Sequence, residues 1–409
     1  MITKQAVRRS ALKNGRHLGI TGNPNYDGVP FTGFASVSRN TKIQELNLNW
    51  RERDLPEHQR TKHVHRLHPY LGKFVPQLVE IFLRKYQPGV VCDPFAGSGT
   101  TLVEASALGI DSIGADISEF NCLLTRVKTR SYNLRVLEAE INDILTRFHL
   151  EMHPTLFRNG LGRELRTASK YLRSWFAPNA LGELLFYRKL IDDYTHQDVL
   201  KVILSRAARS ARLTTHFDLD FPRTPQTEQY YCHKHARTCR PTDNAEKFLV
   251  RYSLDTLRRI KEFAGIRESS RARVLCGDSR SILFPRADMV VTSPPYVGLI
   301  DYHEQHRYAY ELLGLSSKDD EEIGPASGGS SQMAVRNYVD SMVATFGNVM
   351  KSLPQGARIV VVVHDRRDLY DEIGDRVGVR TDYRLSRHVN RRTGRRATDF
   401  FEDVLVWRV

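Results

Sequence analysis

A glycine-rich turn between a strand signal and a helix signal constrains this chain more than any other feature. Residues 90–93, Val-Val-Cys-Asp, form a short apolar run; Pro94, Phe95, Ala96, Gly97, Ser98 and Gly99 follow, and residues 100–108 have helical character. Gly97 and Gly99 let the backbone turn tightly from strand to helix and approach a ligand closely. The amides that open the helix at Thr100 face outward, where an anionic group such as a carboxylate can sit. The Gly-Lys-Ser/Thr ending of a phosphate-binding loop is missing. A strand that runs through such a turn into a helix belongs to a mostly parallel sheet with helices on its faces.

The rest of the pattern fits that sheet. A helix is expected over 75–86, where apolar residues recur at helical spacing, and a second strand over 112–116. That strand ends on Asp116, about 20 residues past the first, where an acidic side chain can take ribose hydroxyls. From 119 to 270 the alternation breaks, and helices are expected over 136–149, 180–194, 198–213 and 245–263, with an irregular stretch rich in His, Arg and Cys over 216–242. Strands return over 273–277, 288–291, 358–364 and 403–407, the last preceded by a basic turn. Asp278, just past the third strand, is placed to accept from an adenine amino group. The expected fold class is α/β, a Rossmann-like sheet with a largely helical insertion. The division is a basic N-terminal extension over 1–60, a catalytic domain over 61–120 and 271–409, and the insertion over 121–270.

Directly after the 288–291 run stands Ser293-Pro294-Pro295-Tyr296. Ser293 offers a hydroxyl acceptor, the prolines force an extended turn whose carbonyls no helix can use, and Tyr296 adds a flat aromatic face. Together they suit a planar group bearing an amino substituent. Formal net charge is +14 and pI about 9.6, a balance that favours a polyanionic partner, nucleic acid above all. No run of about 18 apolar residues exists, so no membrane span is expected. The N-terminus lacks the apolar region of a secretory signal. The five cysteines are scattered and odd in number, which suits a reducing cytoplasm.

Asp93-Pro94-Phe95-Ala96-Gly97-Ser98-Gly99-Thr100 resembles the S-adenosylmethionine loop of amino-directed DNA methyltransferases. Thr292-Ser293-Pro294-Pro295-Tyr296 resembles their catalytic motif, in the serine form typical of cytosine-N4 enzymes. His68-Pro69-Tyr70-Leu71-Gly72-Lys73-Phe74 resembles the segment that closes over the methionine end of the cofactor. The resemblance covers roughly 60–120 and 270–409. It implies a class I methyltransferase sheet, S-adenosylmethionine as cofactor and a base in double-stranded DNA as substrate. It further implies a prokaryotic, cytoplasmic restriction-modification or defence setting, with a cognate endonuclease as a possible partner. On that resemblance Lys73, Phe74, the loop from Asp93 to Thr100, Asp116 and Asp278 hold the cofactor. Ser293, Pro294, Pro295 and Tyr296 carry catalysis.

An exocyclic amine is a poor nucleophile because its lone pair is delocalised into the ring. Acceptors at Ser293 Oγ and the Pro294 carbonyl would draw density back onto nitrogen, and Tyr296 would stack on the base. Carbon-directed cytosine methylation needs a cysteine nucleophile, usually after proline, and the chain has no Pro-Cys pair. Adenine N6, an RNA amine, and a non-catalytic DNA-binding subunit remain as alternatives. For DNA contact, Arg206, Arg209 and Arg212 share a helical face. The basic turn 384–396 contributes Arg387, Arg391, Arg392 and Arg395 for phosphates. The Gly/Ser-rich segment 324–331 is expected to be mobile, either a simple linker or a loop that orders over the bound base. Cys232, His235 and Cys239 suggest zinc, but the spacing lacks paired Cys-x-x-Cys and no complete ligand set is evident, so no metal is expected.

Overall fold

The computed structural model describes residues 31–50, 53–72, 74–153, 167–389 and 400–409. Its strands are β1 (Val90–Asp93), β2 (Asp111–Asp116), β3 (Tyr230–Cys232), β4 (Arg237–Cys239), β5 (Ala272–Cys276), β6 (Met289–Thr292), β7 (Arg358–Val363), β8 (Arg380–Val389) and β9 (Phe400–Arg408). The helices that matter here are α1 (Pro76–Tyr86), α2 (Thr100–Ala107), α3 (Glu119–Thr129), α4 (Leu134–Met152), α5 (Pro178–Leu190), α6 (Gln197–Ala211), α7 (Glu246–Ala264), α8 (Gln332–Met350) and α9 (Leu369–Val377). Seven strands form one sheet in the order β5-β2-β1-β6-β7-β9-β8. The first five are parallel, and β9 runs antiparallel between β7 and β8. This is the mostly parallel, Rossmann-like sheet expected from the sequence. The strand order reverses between β1 and β6, and in such sheets ligands bind at that switch point.

The central strands are short and apolar because both faces are covered, and successive side chains point to opposite sides. Met289, Val291, Val360 and Val362 pack with Leu78, Ile81 and Phe82 of α1. Val290, Ile359, Val361 and Val363 pack on the other face with Met342 and Phe346 of α8, Ile373 of α9 and Trp407. A third core joins α3 to α4, α5, α6 and α7 through Phe120, Phe148, Tyr187 and Leu204. Its boundary differs from the expected one, since α3 packs on β2 and β5 and so covers the sheet. Residues of the N-terminal stretch also join the core: Val37, Ile43, Leu46 and Leu48 are buried against α1.

The basic turn expected from 384 is instead the strand β8, which ends at Val389. Only Leu385 and Arg387 are buried and every other residue but Arg380 is half-buried, so no alternation of apolar residues betrayed it. Its charges suit a sheet edge, where they discourage pairing with another chain. Arg380 and Arg408 both bond Asp382, and Arg384 bonds Asp371. Among the described residues no helix is long and apolar enough to cross a membrane.

Candidate active site

Four strand ends line up at one edge of the sheet, because Asp93 is in register with Gly114, Asp116 with Cys276 and Thr292 with Val361. A cavity with about 820 Å³ of empty space opens there. Pro94 to Ser98 line it from β1, Asp116 from β2, Asp278 and Ser279 from β5, and Ser293 and Pro295 from β6. The two motifs, some 200 residues apart in sequence, are joined beneath the cavity. Thr292 Oγ1 donates to Asp93 Oδ1 at 2.6 Å across 199 residues, and Thr101 Oγ1 donates to the Val291 carbonyl at 3.1 Å.

Asp93 is fully buried and does not line the cavity, so its place is structural: it also takes the Phe95 amide at 3.1 Å. Burial pushes its carboxyl up to about 6, against the hydrogen bonds from Thr292, Thr101 and Phe95. Gly99 likewise stands behind the lining, with φ +80° and a pro-Cβ position 2.7 Å from Thr125. The turn's carbonyls are held from behind by α3: Thr125 Oγ1 donates to Gly97 O at 3.1 Å and buried Lys128 Nζ to Ser98 O at 2.6 Å. Gly97 has φ +49°, and a Cβ there would meet the Tyr70 hydroxyl at 3.0 Å.

Asp116 does more than wait for a ribose. Its carboxylate takes the Gly97 amide at 2.8 Å, the Ser118 amide at 2.9 Å and Asn121 Nδ2 at 3.0 Å. Burial raises its pKa, while these three donors favour the ionised form. Asp278 lines the cavity as expected but is also clamped by Arg280 Nε at 3.0 and 2.9 Å. Burial raises that carboxyl, yet the bonds and charge of Arg280 outweigh it and hold the pKa below the usual range. Phe74 lines the wall, and Lys73 lies outside the described residues.

At the tetrapeptide, Ser293 Oγ donates to the Val362 carbonyl at 2.9 Å. Its one proton is thereby engaged, and the oxygen presents lone pairs to the cavity. Pro294 stands beside the lining, and no donor to its carbonyl is found among the described residues. Tyr338 holds the Pro295 carbonyl at 2.8 Å. Tyr296 donates to Glu402 at 3.3 Å, and burial keeps it a phenol by raising its pKa well above the usual value. Glu402 is paired at 3.0 Å with Arg387, which is only 4% exposed. Arg387 is thus not free for phosphate; it braces the carboxylate that receives Tyr296.

The other expected DNA contacts are corrected in the same way. Arg206 is buried and donates to Thr256 and Asp255, both at 2.6 Å. Arg209 is paired with Asp220, and Arg212 donates to the Leu219 carbonyl at 2.6 Å while stacking over Tyr308. The three-residue spacing did put them on one face, but that face packs inward. Arg391, Arg392 and Arg395 lie outside the described residues. The 324–331 segment is tied down rather than free: Gly298 N bonds Gly324 O at 3.0 Å, and Ser327 bonds Asp301 through both its amide and its hydroxyl at 2.9 Å.

Sequence reasoning missed part of the wall. Asn121, Tyr302 and Glu322 line the cavity beside Tyr70 of the expected 68–74 segment. Tyr70 stacks on Tyr302 at 5.9 Å and on His306 at 5.7 Å. Burial lowers His306 to about 4, so this aromatic wall is uncharged at neutral pH. The dense Tyr/His run from Tyr302 to Tyr310 was the available signal.

The cavity fits S-adenosylmethionine. The turn leaves no room for a Cβ at Gly97, carboxylates stand at two successive strand ends, and Ser98 Oγ and Asn121 Oδ1 are buried without partners. Buried polar atoms of that kind need an occupant that can satisfy them. A family model described as DNA methylase matches residues 29–126. The chain is 35% identical to the type II methyltransferase M.MjaII of Methanocaldococcus jannaschii, over 86% of this chain and 81% of that protein. It is 22% identical to M.MvaI of Kocuria varians, over 64% of this chain and 60% of the relative. It is 25% identical to M.BsoBI of Geobacillus stearothermophilus, over 67% and 58%. Alignment with the first relative over most of both chains, together with this cavity, places the chain in the type II DNA methyltransferase family, the N6/N4 class that uses S-adenosylmethionine as methyl donor.

Proposed function

We propose that the protein methylates the N4 amine of cytosine in double-stranded DNA at a specific site. The observation that carries this reading is Ser293, whose hydroxyl proton is turned to Val362 so that its lone pairs remain as acceptors. The tetrapeptide is in the serine form typical of cytosine-N4 enzymes.

Bound in the cavity, S-adenosylmethionine supplies a methyl group on a positively charged sulfur. The chain's own residues do the rest. Ser293 Oγ and the Pro294 carbonyl accept from the two N–H groups of the base amine. This returns electron density to nitrogen and favours a pyramidal geometry. Tyr296, braced through Glu402 and Arg387, holds the ring flat. Thr292 and Asp93 fix the tetrapeptide relative to the cofactor turn, so that the two reactants meet without reorganisation. The base leaves the duplex to reach this depth, and the positive charge of the chain offsets the phosphates around it. The assigned cofactor residues are Phe74, Asp116, Asp278 and the 94–100 turn. The setting is the cytoplasm of a prokaryote, in host DNA protection beside a cognate endonuclease.

The test is to digest DNA from cells expressing the protein and identify the modified nucleosides by mass spectrometry. N4-methylcytosine is expected; N6-methyladenine alone would overturn the base assignment.

A further inference from the structure

The helical insertion contains a second constellation that methyl transfer does not use. His216, Cys232, His235 and Cys239 bring one ligand atom each to within 4.8 Å of one another. Three of them sit on the β3–β4 hairpin. The His235 amide bonds the Cys232 carbonyl at 3.1 Å, and Ala236 adopts φ +49° to close the turn. That turn sets Cys232 and His235 side by side. Cys239 returns on β4, in register with Tyr230. The fourth member, His216, comes from 16 residues before Cys232, which is why a search for paired Cys-x-x-Cys spacing does not find it.

The distances suit a metal better than a hydrogen-bonded cluster. Cys232 Sγ lies 3.4 Å from His216 Nδ1 and 3.6 Å from His235 Nδ1, and His235 Nδ1 lies 3.4 Å from Cys239 Sγ. A tetrahedral zinc with Zn–S of about 2.3 Å and Zn–N of about 2.05 Å separates its sulfur and nitrogen ligands by about 3.6 Å. Oxygen-seeking cations do not suit two thiolates and two imidazoles, whereas zinc does. The Tyr230 hydroxyl lies 2.7 Å from His216 Nδ1, and it has to turn aside for that nitrogen to ligate.

The surrounding segment also needs such a clip. Strands β3 and β4 have three residues each, and Phe217, Phe221 and Tyr231 are more than half exposed. A two-stranded hairpin without a covered apolar face is marginal in water. Cys232, by contrast, is fully buried at the centre of the cluster. Two other groupings are weaker: Glu104 is already engaged by Lys62 and His65, and Glu246 by two exposed histidines.

We infer that His216, Cys232, His235 and Cys239 bind one structural zinc ion that pins the hairpin to the insertion. On binding, the two thiols become thiolates and release their protons to solvent. The site is closed by four protein ligands, so it holds structure and does not activate water.

The full-length chain, purified under reducing conditions from zinc-supplemented medium and freed of loose metal, should carry about one zinc per chain by mass spectrometry. Replacing zinc by cobalt should give the absorption of a tetrahedral ion together with a sulfur-to-cobalt charge-transfer band. His216→Ala and Cys239→Ser should each lose the stoichiometric metal and that band, whereas Cys276→Ser, which removes an exposed cysteine outside the cluster, should keep both. Cofactor binding reports whether a variant is folded. For the unaltered chain, removal of zinc by a chelator should speed proteolytic cleavage within 212–244, and zinc should reverse it. Substoichiometric zinc and no cobalt band in the unaltered protein would overturn the inference. So would retention of both signals in His216→Ala and Cys239→Ser together.

Discussion

The cavity edge and the helical insertion are both rich in polar and charged residues, but they use them in opposite ways. At the cavity, hydrogen-bonding capacity is left open: Ser98 Oγ and Asn121 Oδ1 lack partners, and Ser293 has given away its only proton. In the insertion, the arginines that look free in sequence are engaged. Arg206, Arg209 and Arg212 look like a DNA-facing row in sequence, yet each is matched to an internal acceptor. Unmet valence at a cavity wall suits a ligand that can satisfy it, whereas an arginine whose bonds end inside the chain serves structure. Residue type alone does not separate the two cases.

That contrast can be broken at either end. The largest effect is expected from Gly97→Val, which would force a branched side chain into φ +49° against Tyr70. Cofactor affinity should fall by about 1,000-fold, or about 4 kcal/mol, read by calorimetry. Arg206→Ala should cost about 2–3 kcal/mol of stability because it removes two charge-assisted bonds, to Asp255 and to Thr256, while Arg258 and Arg259 stay on Asp255. The salt dependence of DNA binding should not change, since no phosphate contact is lost. A weaker salt dependence in that variant would return Arg206 to the DNA interface.

Asp93 provides a pH test. Burial raises its folded pKa from the ordinary 3.8 to about 6, so the native state holds more protons across that window. Stability from this group is therefore present below pH 3.8 and is lost as pH rises to 6, by about 2 kcal/mol. Asp93→Asn should lack that component when denaturant midpoints at pH 4.5 and 7 are compared with those of the unaltered chain. The smallest effect is expected from Tyr296→Phe. It keeps the flat ring and loses the hydroxyl with its bond to Glu402, so turnover should drop by a few-fold, about 1 kcal/mol.

Much of this site was legible in the sequence because its parts are local. The β1 turn, the β6 tetrapeptide and the acids at strand ends are set by short stretches whose backbone demands are visible in Gly and Pro. What was not legible depends on partners far along the chain. The inward turn of Arg206 needs Asp255 on α7, and the role of Arg387 needs Glu402 on β9. Strand β8 was hidden because an edge strand exposes its charges, and its one deeply buried apolar residue, Leu385, is too little to mark alternation. The aromatic wall from Tyr302 onward carries no strand or helix periodicity. His216 joins Cys232, His235 and Cys239 only once the hairpin has folded.

The most direct test of the acceptor role assigned to Ser293 is single-turnover methyl transfer by Ser293→Ala with cofactor and DNA both saturating. The serine hydroxyl should matter to the reacting amine and not to binding. The expected result is a chemical step slowed by about 100-fold, or about 2.7 kcal/mol, with unchanged affinity for S-adenosylmethionine and DNA. An unaltered rate, or a loss confined to cofactor affinity, would contradict it.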